Sequence, residues 1–174
     1  MSTSTLDTTK DEETFFIPSK KLISKYINVL NDILDNSNQI PTPNTELPLQ
    51  IIRGDSLQNE KASDFLYKFI SKTQLEESTL VYSLIYFEKI IIYDIVNSDN
   101  SLLFLFICLV ISLKINEDLT HKNCFYAELA GISTDFLCNL ERLFLDLVSF
   151  RIFVEDSIYE EYEKKLIMAN IEDL

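Results

Sequence analysis

The chemistry open to this sequence is limited by its few reactive side chains. His121 is the only histidine, and it lies three residues before Cys124. Two ligands of these types do not complete the tetrahedral site that zinc requires. A cysteine–histidine dyad would also need an orienting group and an oxyanion site, and the chain has no glycine-rich loop or phosphate motif. We therefore predict a protein that is not an enzyme and that holds no metal and no cofactor.

Two charged residues occupy positions where a charge is costly. Glu141 falls in an apolar helical pattern with Leu140 and Phe144, and Lys114 directly follows the apolar run 102–113. A charge beside an apolar stripe must have a partner or face an interface. Taken alone, the residues favour rim positions with the side-chain stems lying on apolar surface. A binding role is the alternative.

These residues must be positioned by helices, because apolar residues recur at spacings of three and four along most of the chain. The run 102–113 is well short of the roughly 20 residues that a membrane span needs. It predicts a helix that is buried on all sides. The predicted helices cover 19–34, 61–72, 76–94, 101–115, 123–129, 133–148 and 156–169.

Turn and capping residues separate these helices. Pro18 is predicted in the first turn of the first helix, Ser101 and Ser133 are predicted N-caps, and Gly131 is predicted to form a turn. Three prolines between 41 and 48 cannot donate helical hydrogen bonds and predict an irregular segment. The predicted division is a disordered tail at 1–17, an N-terminal helix at 18–35, a linker at 36–60, a main helical domain at 61–153 and a C-terminal helix at 154–174.

Composition supports one helical domain. The chain has 174 residues, of which 47% are hydrophobic, and only 2 are glycine, whereas all-β sandwiches usually need more glycine for their turns. The net charge of −13 and the lack of a basic patch argue against direct binding of nucleic acid.

The cysteines indicate the compartment. Three cysteines without CxxC spacing predict free thiols, with Cys108 and Cys138 buried. Because the N-terminus is polar and acidic, we expect it to be neither a signal peptide nor a transit peptide. We expect an intracellular protein, cytoplasmic or nuclear or both.

Two blocks of sequence are more specific than this pattern. The first is LVISLKINED at 109–118, where an apolar run stops at a lysine followed by acidic residues. The second runs from NCFYAELAGIS at 123–133 through NLE at 139–141 and FL at 144–145 to 150–154. Together they closely resemble the P/U-type cyclins, the phosphate-pathway and plant U-type class. Weaker similarity is found at 19–34, 65–69 and 86–90.

The resemblance implies a fold and a function. The fold is a five-helix cyclin box around a central buried helix, with extra N-terminal and C-terminal helices. The function is that of a regulatory subunit that binds and activates a cyclin-dependent protein kinase. In cyclins, a lysine and a glutamate bind the backbone next to the kinase's regulatory helix, and Lys114 and Glu141 are the matching residues. The implied kinase interface comprises Lys114, Asp118, Glu128, Leu137 and Glu141.

The chain departs from the family pattern at two places. Lys68, Glu88 and Lys89 replace an arginine and an aspartate–arginine pair, which makes Lys68 and Glu88 the candidate for an internal salt bridge. Lysine lacks the planar fork of arginine, so a looser pair is expected. Glu128 stands where the family has a lysine, which bears on which kinase would fit.

Two other functions are compatible with the sequence. One is a cyclin-box scaffold or adaptor without a kinase partner. The other is a helical domain that binds a small molecule, which would need a concave apolar pocket with convergent polar groups. The cyclin interpretation expects a kinase partner and no nucleic acid, membrane or small-molecule substrate.

Overall fold

A computed structural model of the chain describes residues 19–37, 57, 60–93, 95–97 and 99–169. The predicted tail at 1–17, Pro18 and most of the predicted linker at 36–60 lie outside these residues. The described part contains seven α-helices and no strand, which confirms the all-α prediction. The helices are α1 (Lys20–Ser37), α2 (Ala62–Thr73), α3 (Glu77–Ile91), α4 (Ser101–Asn116), α5 (Asn123–Ala130), α6 (Thr134–Leu147) and α7 (Asp156–Met168).

Local sequence explains where these helices begin and end. Ser133 caps α6, since its Oγ accepts from the backbone N–H of Phe136 at 3.1 Å. Gly131 ends α5 in the left-handed conformation, with φ of 66°, as its predicted turn requires. The predicted N-cap role of Ser101 is wrong. Ser101 is already helical, and the preceding residue, the buried Asn100, orders the turn with its side-chain amide.

The centre of the fold is α4. All residues from 103 to 113 are buried, so the prediction of a central buried helix is confirmed. Phe106 packs edge-on against two aromatic rings of α2, with centroid distances of 5.9 Å to Phe65 and 6.1 Å to Phe69. The most extensive helix contact joins α4 to α3, and α6 packs on both α4 and α5. This packing places the C-terminal turn of α4 beside α5 and α6.

The first and last helices belong to the same core. α1 packs against α2, α3 and α7, and α7 also packs against α3. Tyr26 of α1 is completely buried and shares a 2.7 Å hydrogen bond with the Ser83 hydroxyl of α3. Tyr162 and Leu166 bury the inner face of α7. The first and last helices therefore both support α3.

Candidate functional site

Three helices meet at a cluster formed by Lys114, Asn123 and Glu141. Lys114 lies in the last turn of α4, Asn123 begins α5, and Glu141 lies in the middle of α6. The ammonium group of Lys114 donates to Glu141 Oε1 and to Asn123 Oδ1. Asn123 Nδ2 donates to Glu141 Oε2 at 2.8 Å. The two predicted site residues are therefore direct partners, and Asn123 completes their hydrogen bonding.

The cluster is half-buried, with one side open to solvent. The Lys114 side chain is 28% exposed and the Glu141 side chain 16%. Charges at this depth require partners, and here they form charge-assisted hydrogen bonds with each other. A lysine ammonium has three donors, and a carboxylate has about four acceptor positions. Both groups therefore retain capacity for a carbonyl or N–H of a partner backbone.

The structure separates the other predicted interface residues. Asp118 and Glu128 are exposed on the surface. Leu137 is fully buried in the core, so its assignment to an interface is wrong. Leu137 lies one turn before Glu141 on α6, on the part of the apolar stripe that packs inward.

Cys138, which also precedes Glu141 on α6, was expected to be buried and is exposed, with its Sγ accepting from Asn123 Nδ2 at 3.3 Å. Cys108 is buried as predicted, and burial raises the pKa of its thiol.

The candidate salt bridge between Lys68 and Glu88 is not formed. Lys68 Nζ pairs with Glu60 Oε1 at 2.8 Å, ahead of α2 in the chain. Glu88 instead accepts a hydrogen bond from the hydroxyl of Tyr162 on α7. Each charged group is reached by a closer partner, so the two helices are not linked through this pair.

A function of Glu117 was not foreseen from sequence. Its carboxylate accepts from the backbone N–H of Glu76 at 3.0 Å and from Thr79 Oγ1 at 2.8 Å. Glu76 is the N-cap residue of α3 and makes no side-chain cap of its own. Glu117 thus supplies the N-terminal cap of α3 from the end of α4, three residues after Lys114. Glu117 lies 41 positions after Glu76 and 38 after Thr79, so no local sequence pattern could predict these contacts.

The segment between α6 and α7, residues 149–155, carries two unexpected aromatic residues. Phe150 is 65% exposed and Phe153 is 80% exposed. The backbone N–H of Phe150 donates to the carbonyl of Leu145 at 2.8 Å, one helical turn beyond Glu141. The backbone of Phe150 is therefore held at the C-terminal end of α6.

The remaining chemical candidates have other surroundings. His121 stacks on Phe125 with a centroid distance of 3.9 Å. No group of His, Cys, Asp and Glu side chains in the described ranges could hold a metal ion. A surface pocket of about 450 Å³ next to His121 is lined mainly by polar and acidic residues such as Glu76, Glu117 and Asp118. It differs in character from the apolar pocket that a small-molecule domain would need. None of the helices within those ranges has the length and apolar character to cross a membrane.

An all-helical domain around a buried central helix, with a lysine–glutamate pair where three helices meet, has the architecture of a cyclin box. The family model for cyclins matches residues 33–152, and the chain therefore belongs to the cyclin family, whose members are regulatory proteins.

Individual relatives refine this assignment. The chain is 39% identical to Cyclin-U2-1 of Arabidopsis thaliana over 54 residues, which cover 31% of this chain and 24% of that protein. It is 28% identical to Cyclin-U1-1 of the same plant over 114 residues, 64% of this chain and 53% of the relative. Its identity to Cyclin-P1-1 of Oryza sativa subsp. japonica is 31% over 59 residues, 34% of this chain and 22% of the relative. The alignments thus span at most about half of these curated relatives, and the P/U-type resemblance is confirmed.

Proposed function

We propose that this chain is a regulatory subunit that binds and activates a cyclin-dependent protein kinase. The observation that carries the proposal is the cluster of Lys114, Asn123 and Glu141 at the edge of a cyclin-family domain. The cyclin box at 61–153 would be the docking unit, and α1 and α7 would support it through their packing against α2 and α3. The partner backbone would bind the open side of the cluster, next to the kinase's regulatory helix as in other cyclins.

Exposed apolar residues near the cluster would supply buried area. Ile115 follows Lys114 and is 42% exposed, and Phe150, held at the C-terminal end of α6, is 65% exposed. Aromatic anchors in desolvated contacts account for most of the energy of typical interfaces. Asp118 and Glu128, both exposed, would favour a basic rim on the kinase. Because Glu128 reverses a charge of the family pattern, we expect it to help select the kinase.

Activation would require no chemistry from this chain. A ligand shifts a conformational equilibrium only by its difference in affinity for the two states. The chain would bind more tightly to the kinase conformation in which the catalytic lysine–glutamate ion pair is formed and the activation segment is positioned. The three cysteines are free thiols, which agrees with the intracellular, cytoplasmic or nuclear location that a kinase partner implies.

The test measures binding and activation of the cyclin-dependent kinases of the source organism. Lys114→Glu should weaken binding about 30-fold or more, because it places a carboxylate where the ammonium would donate to a carbonyl of the kinase, and losing a charged contact that is desolvated in the complex costs at least about 2 kcal/mol. Lys164→Glu is the matched control, with the same charge change on an exposed position of α7. If no kinase binds the unaltered chain, the proposal is wrong.

A charge swap separates docking from folding. The double variant Lys114→Glu with Glu141→Lys can reform the internal pair, but presents the opposite polarity to a partner. We expect the swap to recover thermal stability without recovering kinase binding. Recovery of both would show that the pair acts only within the fold.

A scaffold or adaptor without a kinase is the second candidate. The exposed Glu128 in place of the family lysine favours it, since this residue changes the charge of the surface. Purification of the chain with its bound partners, followed by mass spectrometry, distinguishes the two. A kinase among the stoichiometric partners supports activation, and a stable complex that lacks one supports the scaffold.

A further inference from the structure

The segment 149–155 is held by two side chains of α3. Tyr86 Oη donates to the carbonyl of Ile152 at 2.8 Å. Lys89 Nζ donates to the carbonyls of Arg151 and Phe153, each at 3.2 Å. Tyr86 and Lys89 are three residues apart and share one face of the helix. Three successive carbonyls of an otherwise irregular segment are therefore fixed from a single helix face.

The backbone of this segment is unusual. Ser149 and Phe150 have φ values of 51° and 57°, in the left-handed region that residues other than glycine seldom adopt. The N–H of Ile152 donates to the carbonyl of Phe150 at 3.0 Å, which closes a tight turn between the two aromatic residues. Such conformations persist where surrounding contacts determine them, and they concentrate at functional sites. Here they accompany the exposed Phe150 and Phe153.

Lys89 provides the link with the largest reach. Its ammonium lies 5.5 Å from the centre of the Tyr86 ring and bridges carbonyls on either side of the one that Tyr86 binds. Desolvation lowers the pKa of Lys89, in keeping with a side chain that this segment partly covers. Methionine has a similar apolar stem and no donors, so Lys89→Met would remove two of the three hydrogen bonds from α3.

We propose that Lys89 is a positioning residue of the docking surface, because it holds the segment 149–155 in the conformation that presents Phe150 and Phe153. The inference rests on the proposed function, in which this surface binds a kinase. Lys89 makes no contact with the partner and acts through the two aromatic side chains. A preformed segment loses less conformational freedom on binding, and affinity rises accordingly.

The first experiment needs no kinase. The chain contains no tryptophan, so Phe153→Trp introduces a single fluorescent reporter into the segment. Time-resolved anisotropy should show faster local motion of this tryptophan when Lys89→Met is added. Lys89→Arg should preserve the slow motion, since a guanidinium can also donate to both carbonyls. Equal local motion in the reporter chain with Lys89 and with Lys89→Met overturns the proposal.

The second experiment is a double-mutant cycle on kinase affinity. Lys89→Met should weaken binding about tenfold, and the paired change Phe150→Ala with Phe153→Ala should weaken it by about tenfold or more. Adding Lys89→Met to that pair should weaken binding by no more than about a further twofold. The fold-changes in affinity caused by Lys89→Met and by Lys114→Met should instead multiply, because the two residues act on separate parts of the surface. If the effect of Lys89→Met is independent of the paired change at Phe150 and Phe153, the positioning role is overturned.

The two experiments distinguish failure of the proposed function from failure of the positioning role. Absence of any kinase binding contradicts the proposed function, while the anisotropy still decides the role of Lys89. Circular dichroism and thermal unfolding establish that each variant folds. If Lys89→Met does not fold, Lys89→Gln serves in its place, since its amide retains donors for one of the two carbonyls.

Discussion

Replacing Glu117 should destabilise the free chain more than any neighbouring acidic residue. Its carboxylate serves as the N-terminal cap of α3, although it lies at the end of α4. The first N–H groups of a helix lack partners inside the helix, and a negative group there also interacts favourably with the helix dipole. Thr79, which donates to the same carboxylate oxygen, is fully buried. Loss of the carboxylate therefore leaves the buried Thr79 hydroxyl without this acceptor and leaves the exposed Glu76 N–H to water.

The size of the effect follows from these contacts. Removing a side-chain cap costs about 0.5–2 kcal/mol, and the interaction with the helix dipole contributes about 0.3–1 kcal/mol. A buried hydroxyl without an acceptor adds about 1 kcal/mol. We expect Glu117→Ala to lower the free energy of unfolding by about 2–3 kcal/mol. Glu117→Gln keeps an acceptor oxygen and loses the charge, so we expect a decrease of about 1 kcal/mol.

Urea unfolding followed by circular dichroism measures these changes. The matched control is Asp118→Ala, which removes the same charge from an exposed position one residue further on and should change stability by less than about 0.5 kcal/mol. Thr79→Val, combined with Glu117→Ala, should show a coupling energy of about 1 kcal/mol. The reasoning fails if Glu117→Ala matches Asp118→Ala, or if Glu117 and Thr79 are additive.

Three further predictions concern two backbone positions and one tyrosine. Ser149→Gly should raise the free energy of unfolding by about 1 kcal/mol, because glycine adopts the left-handed conformation without strain, and a thermal unfolding curve that does not move upward would contradict this. Gly131→Ala should lower it by about 1 kcal/mol in the same assay; no atom lies within 4 Å of the added methyl group, so the loss comes from the positive φ alone, and a cavity-filling gain would refute it. Burial raises the pKa of Tyr86 to about 12, above its unfolded value of about 10. The stability that the neutral Tyr86 hydroxyl contributes is therefore complete below about pH 10 and is lost as the pH rises from about 10 to about 12. Over this range the free energy of unfolding, measured by urea unfolding at each pH, should fall less steeply for Tyr86→Phe than for the unaltered chain.

The helices could be predicted because each has an apolar face of regular spacing. α4 was the clearest, since a run of apolar residues with one lysine at its end has no polar face to turn toward water. The N-cap of α4 was predicted one residue too late. Asn100 occupies that position, and its amide both donates and accepts within the turn that precedes the helix.

The candidate site was only partly predictable for a different reason. Periodicity places Leu137 and Glu141 on one stripe of α6, but it cannot tell which residues of the stripe lie in the core and which lie at its edge. Pairing between distant charges was equally hidden. Lys68 and Glu88 have opposite charges and lie on helices that the family pattern pairs. In the structure, however, Lys68 pairs with Glu60 and Glu88 accepts from Tyr162. Contacts of this kind between residues far apart in the sequence depend on how α2, α3 and α7 pack together.

The structure also bears on which partner would change shape in the proposed complex. Lys114 is bonded to both α5 and α6, and Glu117, one turn later, ties the end of α4 to the start of α3. If the end of α4 shifted, the charge-assisted hydrogen bonds of both Lys114 and Glu117 would break. A docking site carried by four joined helices is preorganised, so binding energy would not be spent on ordering this chain. The conformational change that activation requires would therefore fall on the kinase.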